Sequence, residues 1–196
     1  MATRMEAEPF VQGLGLEKIV HDSFHIYSGD KLKLLVSGVG KMNATMTVTF
    51  AIMTFSPDCI INLGAAGSLG NGLLGEVFQI RSIIESDRPD RRRNRQRLYS
   101  PQRLEGFNDC VLATRDIPVL DPLERAKVAA EADLIDMEGC AVAHVCKRFK
   151  LDCYLYKYVT DNMESPDISD IVENIEKYGQ SFFQYCVSLV FPRFQL

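Results

Sequence analysis

The chain has 196 residues, of which 46% are hydrophobic and 24% are charged, and its formal net charge is -4. The length suits one domain with a buried core, and the composition excludes a disordered chain and a generally nucleic-acid-binding one. We therefore predict a single domain over residues 1–196, with a small molecule rather than a nucleic acid as its partner.

The six cysteines lie mostly in apolar segments and form no CxxC pair, which is typical of free thiols in a reducing compartment. No apolar run near the N-terminus has signal-peptide length, and no segment approaches the roughly 20 apolar residues of a membrane helix. The three histidines form no metal-binding spacing such as HExxH. We expect a cytoplasmic protein that binds neither a membrane nor a metal.

Short apolar runs alternate with longer helical patterns along the chain. The strand-like "KLKLLVSGVG" precedes the helical "KMNATMTVTFAIMTF", and the apolar runs of "DCIINLGAAG", "GEVFQIRSII" and "DCVLATRD" follow. Next come "ADLIDME" with a helix after it, "DCYLYKYVTDN", and an amphipathic C-terminal helix in "DISDIVENIEKYGQSFFQYCVSLV", with Asp167 or Ser169 as its N-cap. This alternation predicts an α/β fold with a mainly parallel sheet under helices.

The segment 86–106, "SDRPDRRRNRQRLYSPQRLEG", is strongly basic and poor in apolar residues, which predicts a long loop. Such a segment is either a solvated surface or subunit contact, or a clamp for an acidic group on a ligand. The arginines that would bind such an anion are Arg91, Arg92, Arg93, Arg95 and Arg97.

Ligands of an open parallel sheet sit beyond the carboxyl ends of its strands, so the residues just after each apolar run are candidates for binding. Two glycine-rich turns, "VSGVGK" (36–41) and "NLGAAGSLG" (62–70), would let the backbone approach a ligand, although glycine after a strand is commonly only turn chemistry. Acids follow two other runs, in Asp136-Met137-Glu138 and Thr160-Asp161-Asn162. Either acid site alone is equally explained by a helix cap or a surface ion pair.

Taken in order, "SGVGKMNAT", "IINLGAAGSLG", "DMEGCAVAHVCKRF" and "YKYVTDN" resemble the successive signatures of the nucleoside phosphorylase and nucleosidase superfamily. The resemblance is strongest to its methylthioadenosine/S-adenosylhomocysteine nucleosidases and hopanoid-associated nucleosidase-like members, and it extends from Met5 to about Asn162. It implies a three-layer α/β/α domain around a central mixed, mainly parallel twisted sheet. It also implies an enzyme that cleaves the N-ribosidic bond of a purine nucleoside without a metal or organic cofactor, and a homo-oligomer, most simply a dimer.

The resemblance implies a role for each acid. Glu138 is similar to the carboxylate that accepts hydrogen bonds from the ribose 2′ and 3′ hydroxyls, with Met137 packed against the sugar. Asp136 either joins this substrate-binding set or only braces the following helix. Asp161 matches the acid that faces the purine N7, either protonating it or stabilising its protonated form. Glu8 aligns with the carboxylate that activates the attacking water, although the pattern alone favours an exposed acid at a helix start.

The resemblance also implies contacts from two further segments. Ala65, Ala66 and Gly67 of the second glycine-rich turn are expected to contact the substrate. Asp116 and Ile117 lie in "LATRDIPVLDP", the region where the superfamily reads the base.

Two substitutions bear on the choice between hydrolysis and phosphorolysis. Asn62 stands where purine phosphorylases carry an arginine, and Ala65 stands where they carry a serine or threonine, so both expected phosphate contacts are missing. Hydrolysis is favoured, and the alternative is a phosphorylase with phosphate as its co-substrate, held by the basic segment.

A third reading is a non-catalytic nucleoside-binding relative. Superfamily members normally carry a full apolar strand ahead of the segment that matches "MEAE", but only "MATR" precedes Met5 here. Either the true start of the protein lies upstream, or the first strand is very short. A short first strand would leave Glu8 poorly fixed, and a misplaced catalytic group loses its function.

Overall fold

The computed structural model describes residues 1–70, 72–90, 95–162 and 167–196, without the side chains of residues 89, 90, 95 and 96. The helices are α1 (Arg4–Gly13), α2 (Lys41–Phe55), α3 (Pro122–Ala129), α4 (Gly139–Phe149) and α5 (Ile168–Tyr185), which continues into a π-helical turn (Cys186–Val190) and a 3₁₀ turn (Phe191–Phe194). The strands are β1 (Glu17–Ile19), β2 (His25–Ser28), β3 (Lys33–Val36), β4 (Cys59–Ser68), β5 (Val77–Asp90), β6 (Arg95–Tyr99), β7 (Asp109–Thr114), β8 (Leu134–Asp136) and β9 (Asp152–Asp161). Across those ranges, no helix combines the length and the apolar character that a membrane crossing requires.

The main sheet closes on itself. Its strand order is β6-β5-β7-β8-β4-β9, and a further pairing between β5 and β9 closes the five strands β5, β7, β8, β4 and β9 into a barrel. β5 closes the barrel because its residues Val77 to Gln79 pair with β9, while Gln79 to Glu85 pair with β7. A separate antiparallel sheet contains β1, β2 and β3.

The α/β class and the mixed sheet predicted from the sequence are confirmed, but the sheet closes into a barrel where the sequence predicts a simple twisted sheet. Among the described strands of the main sheet, β4–β9, β5–β7 and β7–β8 are parallel, and β4–β8, β5–β6 and β5–β9 are antiparallel. The sheet is therefore mixed, and the parallel pairings join more residues than the antiparallel ones. Alternating apolar runs identify strands, but the partner of each strand depends on pairing across the barrel, which periodicity does not report.

Alternate residues of β9 face two apolar clusters, so the strand is buried on both sides. Leu155 and Val159 belong to a cluster with α2 and α4, whereas Tyr156 and Tyr158 belong to a cluster with α1 and α5. In the second cluster Tyr158 stacks on Phe182 with ring centroids 4.6 Å apart. These clusters hold the end of β9, which carries Asp161, in a fixed position.

The start of the chain runs beside β3. The Met1 ammonium donates to the Leu35 carbonyl at 3.1 Å, and the Ser37 N–H donates to the Met1 carbonyl at 2.9 Å. Burial lowers the pKa of the Met1 amino group. Residues 1–3 form no strand, and a largely apolar groove of about 520 Å³ lies between β3 and the first half of β4.

The basic segment 86–106 is not the continuous loop that its composition predicts. β5 extends to Asp90, and β6 (Arg95–Tyr99) pairs with it in antiparallel register, with Glu85 opposite Arg97. Opposite charges on facing residues stabilise this strand pairing. Composition alone does not show which residues face each other, so it does not predict the pairing. The C-terminal helix is confirmed as α5, and its N-cap is Asp167, whose carboxylate accepts the Ser169 N–H at 2.9 Å.

Candidate active site

A cavity of about 200 Å³ lies where α1, β4, β8, β9 and α5 meet. Among the described residues, four acids line it, Glu6, Asp136, Glu138 and Asp161, together with one arginine, Arg125. The rest of the wall is largely apolar: Val39, Ile117, Pro118, Val119, Leu120, Ile135, Met137, Ile171 and Ile175. Three of the acids sit at the ends of secondary-structure elements, Asp136 and Asp161 on strands and Glu138 directly before α4.

The Glu138 side chain contacts the first glycine-rich turn. It is 7% exposed, and its Oε1 accepts the Gly40 N–H at 2.7 Å. Gly40 has φ 99°, a conformation that glycine adopts without strain, so the predicted turn at 36–41 is confirmed and aims its N–H at the acid. Burial, followed by the charge of Asp136, raises the pKa of Glu138 to about 7. The side chain therefore sits close to its titration point at neutral pH.

The Asp136 carboxylate is bonded to three neighbouring groups. Its Oδ1 accepts the Thr114 hydroxyl at 2.7 Å, and its Oδ2 accepts the Gly139 N–H at 2.8 Å and lies 2.8 Å from Lys157 Nζ. Lys157 is fully buried; burial alone would lower its pKa, but the charges of Asp136 and Glu138 raise it. The Thr114 hydroxyl also accepts the Cys140 N–H at 3.0 Å, which satisfies a donor in the first turn of α4. Asp136 thus has the bracing role that the sequence left open, and it also borders the cavity.

Glu6, and not Glu8, reaches the cavity from α1. Thr3 and Glu6 form a capping box, in which Glu6 Oε2 accepts the Thr3 N–H at 2.7 Å and the Thr3 hydroxyl at 2.9 Å. Its Oε1 accepts the Ala65 N–H at 2.8 Å, so Glu6 is fixed to both α1 and β4. Glu8 is exposed and accepts from Gln12 Nε2 at 2.6 Å. The helical rotation between the two positions turns Glu8 away from the site.

Asp161 and Arg125 form a buried ion pair, and both residues line the cavity. Arg125 Nη2 donates to Asp161 Oδ2, and the two side chains are 3% and 4% exposed. Asp161 Oδ1 accepts the Thr160 hydroxyl at 3.2 Å. The pair lies directly against Gly67, where an added Cβ would sit 2.8 Å from Asp161 Oδ2 and 2.9 Å from Arg125 Nη2. A side chain at that position would displace the acid.

The remaining predicted residues divide into those at the cavity and those outside it. Ala65, Ala66 and Gly67 line it, but they lie inside β4 and not in the predicted turn, since β4 continues to Ser68. Met137 lines it as predicted, and Ile117, 73% exposed, lies at its rim. Asp116 does not line it: its Oδ1 accepts the Lys41 N–H at 2.7 Å and its N–H donates to Asp87 Oδ2 at 2.8 Å.

Most of the arginines proposed as an anion clamp fall outside the described structure. Arg91, Arg92 and Arg93 lie outside the described residues, and so does the side chain of Arg95. Arg97 Nη1 lies 3.9 Å from Glu85 Oε2, away from the residues that line the cavity. The anion-clamp reading of this segment stays a prediction.

Sequence reasoning missed three charged residues, and each had a partial signal. Glu6 completes the pattern Thr3-x-x-Glu6, a capping box that precedes an apolar helix. Lys157 interrupts the apolar run "YLYKYV", where a buried cation needs an acidic partner. Arg125 gives no comparable signal, because an arginine in a helix is ordinarily a surface residue.

The sequence and the fold were compared with known proteins. The model of the phosphorylase superfamily matches residues 9–190. The 5'-methylthioadenosine/S-adenosylhomocysteine nucleosidase of Bacillus velezensis is 30% identical over 173 residues, covering 74% of this chain and 75% of that protein. The aminodeoxyfutalosine nucleosidase of Campylobacter jejuni is 24% identical over 186 residues, covering 81% of each chain.

Among solved structures, the fold is similar to the 5'-methylthioadenosine/S-adenosylhomocysteine nucleosidase of Helicobacter pylori with butyl-thio-DADMe-Immucillin-A. The TM-score is 0.87 at 20% identity, and the match covers 97% of this chain and 95% of that chain. The match supports the overall fold.

Proposed function

Because the chain belongs to the phosphorylase superfamily, we propose that it is an N-ribosyl hydrolase that cleaves the glycosidic bond of a purine nucleoside with a 5′ substituent. Its relatives include nucleosidases named for methylthioadenosine, S-adenosylhomocysteine and aminodeoxyfutalosine. The observation that carries the proposal is the convergence of Glu6, Glu138 and Asp161 on one cavity. A glycosidic cleavage needs one acid for the sugar, one for the base and one for the water.

Each acid has a distinct position in this reaction. Glu138, in its ionised form, accepts hydrogen bonds from the ribose hydroxyls, bonds that strengthen as the sugar becomes cationic, and Met137 packs against the ring. Asp161 faces the base. Glu6 takes the water-activating role that the sequence gave to Glu8, since it alone of the two borders the cavity. As the C1′–N9 bond breaks, its electrons go to the purine, the water oxygen bonds to C1′, and a water proton passes to Glu6.

The charges at the cavity favour water over phosphate as the attacking group. Four acids line it, and the arginine among its described lining residues, Arg125, is already paired with Asp161. Lys157, nearby, is paired with Asp136. Phosphate is a dianion that needs free cationic or hydroxyl donors, whereas water needs only an acceptor such as Glu6.

The apolar wall fits the 5′ substituent. Ile171 and Ile175 on α5, together with Leu120 from the loop before α3, are apolar lining residues of the cavity. A thioether or another apolar 5′ group would bury its surface there, at roughly 25 cal/mol per Å² removed from water.

We also propose that the enzyme acts in the cytoplasm, needs no metal or organic cofactor, and works as a homodimer. All six cysteines are free thiols, which fits a reducing compartment. The acids named above supply the proton transfers that the reaction requires. The dimer is supported by an exposed stripe of methionines on α2, described below.

The test is incubation of purified protein with methylthioadenosine, adenosylhomocysteine, adenosine and inosine, each with and without phosphate, with the free base measured by chromatography. We expect base release without phosphate, and free ribose or its 5′-substituted form as the second product. Release only with phosphate would identify a phosphorylase. Tight ligand binding with no release under either condition would identify a non-catalytic binding protein.

A further inference from the structure

Arg125 makes more contacts than a surface ion pair needs. It is 2% exposed, and its Nε donates to the Val119 carbonyl at 2.7 Å. Its Nη1 donates to the Asn162 carbonyl at 2.7 Å and the Ser68 carbonyl at 3.4 Å, and its Nη2 donates to Asp161. A buried guanidinium is tolerated when its donors are paired, and these four acceptors take four of its five N–H groups.

These acceptors belong to three separate segments around the cavity. Val119 lies in the loop that carries Ile117, Ser68 ends β4, and Asn162 follows β9. One side chain therefore ties together the loop, the strand and the acid that border one side of the cavity. The planar fork of the guanidinium fixes the direction of each bond, which a lysine would not do.

The pair also fixes which oxygen of Asp161 is available. Oδ2 is held by Arg125, whereas Oδ1 accepts only a single hydroxyl bond, from Thr160 at 3.2 Å, among its described contacts. A carboxylate oxygen has two lone pairs, so Oδ1 keeps one for a ligand. Because Oδ2 accepts from a guanidinium and Oδ1 accepts from a hydroxyl, the contacts of Asp161 suit a hydrogen-bond acceptor and not a proton donor.

We propose that Arg125 positions Asp161 as a hydrogen-bond acceptor for a purine ring nitrogen that becomes protonated as the base departs. The inference rests on the proposed function and decides between the two roles that the sequence left open for Asp161. The ring nitrogen takes its proton from solvent as the C1′–N9 electrons move into the purine, and Asp161 stabilises the resulting N–H. Gly67 is part of the same arrangement, because a side chain at this position would clash with both Asp161 and Arg125.

The test compares two leaving groups. A purine leaves with a proton, whereas 4-nitrophenolate leaves as an anion, so 4-nitrophenyl riboside needs the sugar and water groups but not Asp161. We expect Arg125→Met to lower kcat for methylthioadenosine by about 10²-fold or more, the range of one acid–base group, with KM changed much less. The rate with 4-nitrophenyl riboside should stay within about threefold, and added guanidinium should restore part of the lost activity.

Arg115→Met is the matched control, because Arg115 pairs with Glu124 at 3.4 Å and does not line the cavity. It should leave both rates unchanged. Arg125→Lys keeps the charge without the fork, and we expect an intermediate rate; it also serves if Arg125→Met fails to fold. Equal loss with both substrates, or no loss with methylthioadenosine, would overturn the positioning role.

Adenine binding, measured by calorimetry, separates this inference from the proposed function. If the wild type releases no base from any nucleoside, the hydrolase proposal fails. The positioning role still stands in that case if Arg125→Met weakens adenine binding about tenfold while Arg115→Met does not, and it falls if both variants bind adenine like the wild type.

Discussion

At the scale of single residues, two acids two positions apart on α1 have different surroundings. Glu6 is buried, with three N–H and O–H donors on its carboxylate, while Glu8 is exposed and bonded to Gln12. A water-activating base must be held in place by its neighbours. The structure gives that support to Glu6.

Glu6→Gln should therefore lower kcat by about 10²- to 10⁴-fold, because the amide accepts no proton from water. Glutamine preserves the capping box, so the fold should survive. Glu8→Gln should stay within about twofold of the wild type. Steady-state base release from methylthioadenosine measures both, and a large loss in Glu8→Gln with an active Glu6→Gln would return the role to Glu8.

Glu138 makes the stability of the empty protein depend on pH. Its pKa is about 7 in the folded chain against an ordinary 4.5, so its contribution to stability is complete below about pH 4.5 and is lost as pH rises through 7. Glu138→Gln removes this titration and keeps an oxygen for the Gly40 N–H. The unfolding free energy of the variant minus that of the wild type should increase by on the order of 2–3 kcal/mol from pH 5 to pH 8.

Urea unfolding at the two pH values measures this difference, with Glu8→Gln as an exposed control that should show no such trend. A constant difference between wild type and Glu138→Gln at both values would contradict the burial argument. The same variant should also lose affinity for nucleosides, since it cannot bind the ribose hydroxyls as an anion.

At the scale of elements, one lysine joins β8, β9 and the start of α4. Lys157 on β9 pairs with Asp136 at the end of β8, and Asp136 holds the first N–H of α4. Glu138 precedes that helix and adds its charge to the same group. The position of the ribose-binding acid thus depends on a buried ion pair between two strands.

Lys157→Met should cost about 3–5 kcal/mol of unfolding free energy, because it leaves Asp136 buried without its cation. Lys157→Met combined with Asp136→Asn should recover part of that loss, because no buried acid is then left without its cation. Lys127→Met removes an exposed pair with Glu124 and should cost less than about 1 kcal/mol. Denaturant unfolding of the four proteins tests this, and similar losses in Lys157→Met and Lys127→Met would contradict it.

At the scale of the whole molecule, α2 carries an apolar stripe that no described residue covers. Met42, Met46 and Met53 are 82%, 52% and 72% exposed. Their spacing of 4 and 7 residues places them on one side of the helix. Contiguous exposed apolar surface commonly marks a protein–protein contact, and methionine is enriched in such interfaces.

Met46→Lys with Met53→Lys should weaken self-association at least about tenfold, equivalent to roughly 1.4 kcal/mol, because it buries charge in the interface. Sedimentation velocity over a concentration series measures the change. Leu123→Lys, a substitution at an exposed apolar residue on α3, is the control. A wild type that sediments as a monomer at every concentration would exclude the dimer.

The sequence predicted local features more reliably than pairings. The glycine turn before α2 and the Asp167 cap depend on a few neighbouring residues, and both are confirmed. The closure of the barrel through β5 and the hairpin within the basic segment were not predicted, because strand partners are far apart in the chain. The same limit applies to Asp116, whose carboxylate is used by the Lys41 backbone.

By itself, the sequence determined the α/β class, the superfamily and the placement of Glu138 and Asp161 at element ends, since these follow from local patterning and short motifs. Only the tertiary structure decided that Glu6 rather than Glu8 reaches the cavity, that Lys157 neutralises Asp136, and that Arg125 holds Asp161. The role of a buried charged residue depends on the group that it contacts in space, and local sequence patterns do not report distant contacts. The contacting residues are 59 apart in sequence for Glu6 and Ala65, 21 for Asp136 and Lys157, and 36 for Arg125 and Asp161.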